Sequence, residues 1–129
     1  MSSEKLGMFE DQKYICLETF KKNGQGVKTP VWFVIHDGMI YVTTTDTSWK
    51  VKRLKNTKSV RIVPSNFKGE PKRQWVDGQA FFGNESELKL IMSLRNKKYG
   101  LLARIIGLLV SKKGKVVVIG IKIRSNLYD

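Results

Sequence analysis

The chain has 129 residues and a formal charge of +13, with 24 lysines and arginines against 11 acids. This length favours one domain spanning 1–129, with a core that needs no disulfide; the lone cysteine, Cys16, cannot form an internal bridge. One cysteine and one histidine exclude a zinc centre built from those residues, and the longest apolar run, Leu101 to Val110, is ten residues where a spanning helix needs about 20.

The N-terminal segment MSSEKLGMFEDQ is polar and mixed in charge, without the apolar stretch of a signal peptide. A reducing, cytoplasmic setting is the expectation. Residues 3–10 suit a short helix. Lys13 to Phe20 reads as a strand, with Cys16 a buried structural thiol. Asn23-Gly24-Gln25-Gly26 is turn chemistry. Val27 to Ile35 reads as the second strand, and Pro30 within it places that part at an edge, bulge or rim, because proline donates nothing to a ladder. His36-Asp37-Gly38 is a second hairpin turn, leading into a third strand over Met39 to Thr44.

Thr45 to Ser48 offers several N-caps for a short helix over Trp49 to Lys55. Ser59 to Val63 is a fourth strand, and Gln74 to Phe82 a fifth, with Gly78 as a candidate bulge. Asn84 and Glu87 have the spacing of a capping box. The helix they open puts Leu88, Ile91, Met92 and Arg95 on one side. A second helix is expected over Tyr99 to Ser111, and Val116 to Ile123 is the closing strand. Strands joined by tight turns point to one β-barrel with helices packed against it, because closure removes exposed edges.

Charge is unevenly spread. Six basic residues and no acid lie between Lys50 and Arg61, and no acid occurs from Leu88 to Tyr128. Such a field favours anionic partners: phosphorylated cofactors, nucleic acid or anionic lipid. Hydroxyls at Thr43, Thr44, Thr45, Thr47 and Ser48 precede the helix start at Trp49, and Lys50 and Arg53 share one side of that helix. Backbone N–H groups at a helix start, with those cations, suit a phosphate; an ordinary capped surface helix has the same pattern. Around Thr29, Pro30, Val31 and Trp32, unpaired backbone suits the polar edge of a flat heteroaromatic ring, although Trp32 and Phe33 equally suit a core. Lys97, Lys98, Arg104, Lys112, Lys113 and Lys115 have the charge to track a nucleic-acid backbone, but no base-reading element accompanies them. His36, in a turn, is poorly placed for a catalytic triad, and the acids are scattered. No catalytic side chain or metal ligand is nominated; any redox chemistry would fall to a cofactor.

Taken in order, these pieces resemble the pyridoxamine 5′-phosphate oxidase-like, FMN-binding split-barrel superfamily, and within it the small F420-dependent (deazaflavin) oxidoreductases. The residues that carry the resemblance begin with Tyr14 to Phe20, Thr29-Pro30-Val31-Trp32-Phe33 and Gly38-Met39-Ile40-Tyr41-Val42-Thr43. They continue with Ser48-Trp49-Lys50-Val51-Lys52-Arg53-Leu54, Val60 to Pro64, Gly69, Val76 to Ala80 and Lys98-Tyr99-Gly100-Leu101. The likeness runs from about residue 13 to 124. It implies a mainly β split barrel of six or seven antiparallel strands with flanking helices, forming a homodimer with two cofactor sites at its interface. It implies that Ser48, Lys50 and Arg53 hold the phosphate of F420 or FMN, with the ring along Pro30 to Trp32. Trp49 departs from the pattern, standing where a small residue is usual, and Ser65-Asn66 stand where a Cys-Asp-like pair is expected.

The implied activity is hydride transfer between F420 or FMN and a small organic substrate. A non-enzymatic flavin or haem carrier or sensor is the alternative, and a basic nucleic-acid-binding protein a third.

Overall fold

A computed structural model describes residues 2–110 and 114–124. A short helix, α1 (Ser2–Gly7), leads into the first strand, β1 (Tyr14–Phe20), whose five central residues are all buried although successive side chains point to opposite faces. Ile15 and Leu17 join the main core, and Cys16 is a buried free thiol whose pKa desolvation raises. A turn held by the side chain of Asn23, which accepts from the backbone of Gln25 at 3.0 Å, returns the chain along β2 (Gly26–Val31).

The expected second strand is interrupted. Trp32 and Phe33 leave the ladder, and pairing resumes in β3 (Val34–His36), so Val27 to Ile35 is two strands and not one. The β3–β4 hairpin then turns on Asp37 (φ 51°) and Gly38 (φ 76°). Positive φ at both positions matches the twist of the strands they join. Next come β4 (Met39–Thr45), helix α2 (Trp49–Asn56), β5 (Ser59–Ser65) and β6 (Val76–Phe82). Gly78 in β6 is no bulge: it pairs in register with Val60 on one side and Ile123 on the other. A Cβ there would meet Ile121 Cγ2 at 2.8 Å, so the glycine serves close packing.

Helix α3 (Glu85–Tyr99) opens on the expected capping box of Asn84 and Glu87. Gly100 separates it from α4 (Leu101–Val110); the Ser111 end of the expected second helix lies outside the described residues. Strand β7 (Val116–Ile123) runs between β6 and β4.

The seven strands are antiparallel throughout, in the order β2-β1-β5-β6-β7-β4-β3. The two edges of the sheet are therefore β2 and β3, which are consecutive in sequence and joined by only two residues. A flat sheet would hold such edges about 29 Å apart, at about 4.8 Å per strand. A connection of this length reaches about 11 Å. The sheet must curl until its edges nearly meet, giving a half-barrel split along one seam.

The curled interior is filled by Ile15, Leu17, Ile40, Val42, Val60, Ile62, Ile119 and Ile121, with Phe9 and Phe33 packed edge to face at 6.3 Å. Helix α2 adds Val51 and Leu54 to this core. Helix α3 packs outside, where Ile91 joins Val34, Tyr41 and Val118 in a second cluster.

Candidate functional site

The end of α3 binds the two-residue connection between the sheet edges. The Tyr99 hydroxyl accepts from Phe33 N–H at 3.1 Å and lies 2.7 Å from the Lys13 carbonyl and 3.0 Å from the Phe33 carbonyl, either of which can take its proton. The Tyr99 ring stacks on Trp32 at 4.3 Å with 8° between planes. Lys98 Nζ donates to the Phe33 carbonyl at 2.8 Å and sits 3.7 Å from the centre of the Phe33 ring. Burial pushes the Lys98 ammonium down to about 8, partly opposed by Asp11, and pushes the Tyr99 phenol up to about 12. Lys98 as a whole is exposed, while its ammonium is held against the Phe33 carbonyl and ring.

Beside this seam lies an open cleft of about 340 Å³. Edge strand β2 gives it Pro30 and Val31, followed by Trp32 of the connection. Thr43 and Thr44 of β4 and Val116 of β7 form a second wall. Helix α2 contributes Lys50, α3 contributes Met92 and Arg95, and α4 contributes Ile106 and Gly107. None of these lining residues is acidic.

Two cations thus face one cleft. Desolvation lowers the pKa of Lys50, and the neighbouring charge of Arg53 lowers it further. Arg95 is likewise lowered by desolvation. Its Nη1 donates to Thr43 Oγ1 at 3.0 Å, while its Nε is buried without a protein partner. Gly107 makes room for the guanidinium, since a Cβ there would lie 2.9 Å from Arg95 Nη2. Cations held away from water, without a carboxylate between them, are arranged to receive an anion.

The structure brings together Pro30, Val31, Trp32, Thr43, Thr44 and Lys50. The remaining sequence candidates lie elsewhere. Thr29 pairs with Leu17 in the ladder, and its hydroxyl is buried without a partner. Ser48 is the N-cap of α2, accepting from Val51 N at 3.3 Å. Trp49 is 68% exposed, with Lys52 Nζ 4.2 Å from its ring centre. Arg53 turns to β1, where its Nε donates to Thr19 Oγ1 at 2.6 Å. Asp46 is engaged by backbone, its carboxylate accepting from Lys115 N at 3.1 Å. Sequence reading did not single out Arg95, Met92, Ile106 or Gly107 for the site. The available signal was an arginine on the apolar side of α3, a position that demands a buried polar partner or ligand.

No protein-family model and no curated protein sequence matches the chain. Solved structures do. The haem storage protein HutZ of Vibrio cholerae superposes with a TM-score of 0.71 at 15% identity, over 96% of this chain and 90% of that one. A Listeria innocua protein provisionally named a pyridoxamine 5′-phosphate oxidase gives 0.67 at 16% identity, over 96% and 94%. A FAD-binding protein of Mesorhizobium loti gives 0.67 at 14% identity, over 97% and 89%. Seven curled antiparallel strands and four helices among the described residues, together with these neighbours, give the chain a split-barrel fold.

Proposed function

We propose that the protein is a flavin- or deazaflavin-dependent oxidoreductase that transfers hydride between F420 or FMN and a small organic substrate. The observation that carries this reading is the pair of desolvated cations, Lys50 and Arg95, facing a cleft whose other wall is the Pro30–Trp32 edge. The residues present fit such a cofactor. Lys50 and Arg95 supply charge for a phosphate, with Arg53 and the Ser48-capped start of α2 close by in sequence. Thr43 and Thr44 offer hydroxyls, and the Pro30–Trp32 segment offers an apolar wall for a flat ring. When bound, the cofactor supplies the hydride chemistry; the protein orients the ring and limits its contact with water. The cleft volume lies at the lower end of ligand pockets, about 300–1,000 Å³. It opens outward, as a site completed by a second copy in a cytoplasmic homodimer would.

Fluorescence titration with F420 and, separately, FMN tests the proposal. Micromolar or tighter binding of either, followed by turnover in a screen of hydride acceptors, is the expected result. Binding of neither overturns it.

A carrier of haem or flavin is the second reading, favoured by the fold likeness to a haem storage protein and by the Met92 thioether in the cleft. Haem titration followed in the Soret band separates the two. Tight haem binding without flavin affinity selects the carrier.

A further inference from the structure

The outward face of α4 differs from the rest of the described surface. Leu101, Ile105 and Leu108 recur at the spacing of one helical stripe, with Leu102 and Leu109 beside them, and all five are 49–71% exposed. The inward side carries the small residues, fully buried Ala103 and Gly107 against Arg95. Ile106, which lines the cleft, also faces inward, whereas the five large side chains face out. An open groove next to it, between α3 and α4, is lined by Lys89, Lys97 and Arg104 with no acid among its lining residues. Asn96, in the same groove, has a buried Oδ1 without a protein partner.

We propose that the α3–α4 face docks on the surface of an anionic lipid bilayer. Helix α4 lies in the plane of the interface, with its leucines and Ile105 in the acyl boundary, and Lys89, Lys97 and Arg104 meet headgroup phosphates. A ten-residue helix is about 15 Å long, half of the roughly 30 Å hydrocarbon core, so it lies on the membrane and does not cross it. No described helix is long and apolar enough to span a bilayer. Charge selects this occupant. On this face a second copy would bring a like basic groove of Lys89, Lys97 and Arg104 beside the apolar stripe, whereas an anionic leaflet answers both the stripe and the groove. This face adjoins the cleft, sharing Met92 and helix α4 with it, and the inference needs no bound cofactor.

The test is sedimentation of the full chain with vesicles of phosphatidylcholine, with and without about 30 mol% phosphatidylglycerol. Anionic vesicles should bind at least about tenfold more tightly than neutral ones, and binding should weaken as salt rises from about 0.1 to 0.5 M. Ile105→Ser with Leu108→Ser should reduce binding at least about tenfold, as should Lys97→Glu with Arg104→Glu, with far-UV circular dichroism unchanged. Full binding by the serine variant overturns the proposal, because attraction would then come from charge elsewhere. Absence of vesicle binding overturns it too. In that case, light scattering showing a wild-type dimer that the serine variant converts to monomer would assign the face to a second copy.

Discussion

Lys50 carries its charge where water is scarce and a second cation is near, so it gives up its proton more readily than a surface lysine. Affinity for a phosphorylated ligand should therefore fall as pH rises through a value below the ordinary lysine pKa of 10.5. A pH series of cofactor titrations checks this; a flat profile up to that ordinary value would remove Lys50 from the anion site. Lys50→Ala and Arg95→Ala should each weaken a phosphorylated cofactor at least tenfold, at about 1.5–3 kcal/mol per charged hydrogen bond lost. Arg53→Ala should cost less affinity, because the Arg53 side chain is already engaged by Thr19. If Arg53 matters more than Arg95 in the same titration, the phosphate sits at the start of α2 and not across the cleft. Gly107→Ala separates binding from folding. Alanine favours the helix by about 1 kcal/mol over glycine, while its methyl would displace the Arg95 guanidinium. Stability should hold or rise as cofactor affinity falls.

At the scale of elements, α3 does more than cover the sheet. Its last turn holds the two residues that carry the chain from one sheet edge to the other. Tyr99→Phe keeps the stacking on Trp32 but strips the buried N–H and C=O of Phe33 of their hydroxyl partner. A loss of about 1–3 kcal/mol in denaturant unfolding is expected. The two titrating groups act in opposite directions. Folded Lys98 loses its proton near 8 and the unfolded side chain near 10.5, so the unfolded state binds more protons between them and stability rises with pH. Folded Tyr99 keeps its proton to about 12 while the unfolded phenol loses it near 10, so stability falls above 10. The free energy of unfolding, measured from pH 7 to 11, should rise and then turn down, and Lys98→Met should remove the rise. Much of this architecture was legible in the sequence. The capping box, the Asp37-Gly38 turn, helix α2 and the closing strand follow from local chemistry that short windows of sequence contain. The break at Trp32–Phe33 does not. Its cause is a partner more than sixty residues away, and alternation of apolar residues alone carries Val27 through to Ile35. The same limit hid Arg95 and Gly107, whose meeting depends on how two helices pack, while Pro30, Trp32 and Lys50 were marked by local signals that survive folding.

For the whole molecule, the strand order divides stability unevenly. Strands β1, β5, β6, β7 and β4 are paired on both sides, whereas β2 and β3 each have one neighbour. Backbone amides of β5 and β6 should exchange most slowly with solvent, and the outward amides of β2 and β3 orders of magnitude faster, since edge pairs open without global unfolding. Hydrogen-exchange mass spectrometry checks this, and uniform protection across all strands would contradict it. A bound cofactor should slow exchange at β2 above all other elements, because that strand forms one wall of the cleft.

The two-residue passage between opposite sheet edges also sets where this chain can change length. The segment from Asn66 to Trp75 joins strands that are already neighbours, so added residues there cost little more than loop entropy, about 0.6 kcal/mol per doubling. An extra residue between Val31 and Val34 has no such slack. Either it bulges into the Trp32–Tyr99 stack, or it slides β2 by one along β1 and turns Pro30 and Val31 to the wrong faces. Insertions tolerated almost anywhere on the loop surface would, at this one junction, abolish the cleft and the barrel together.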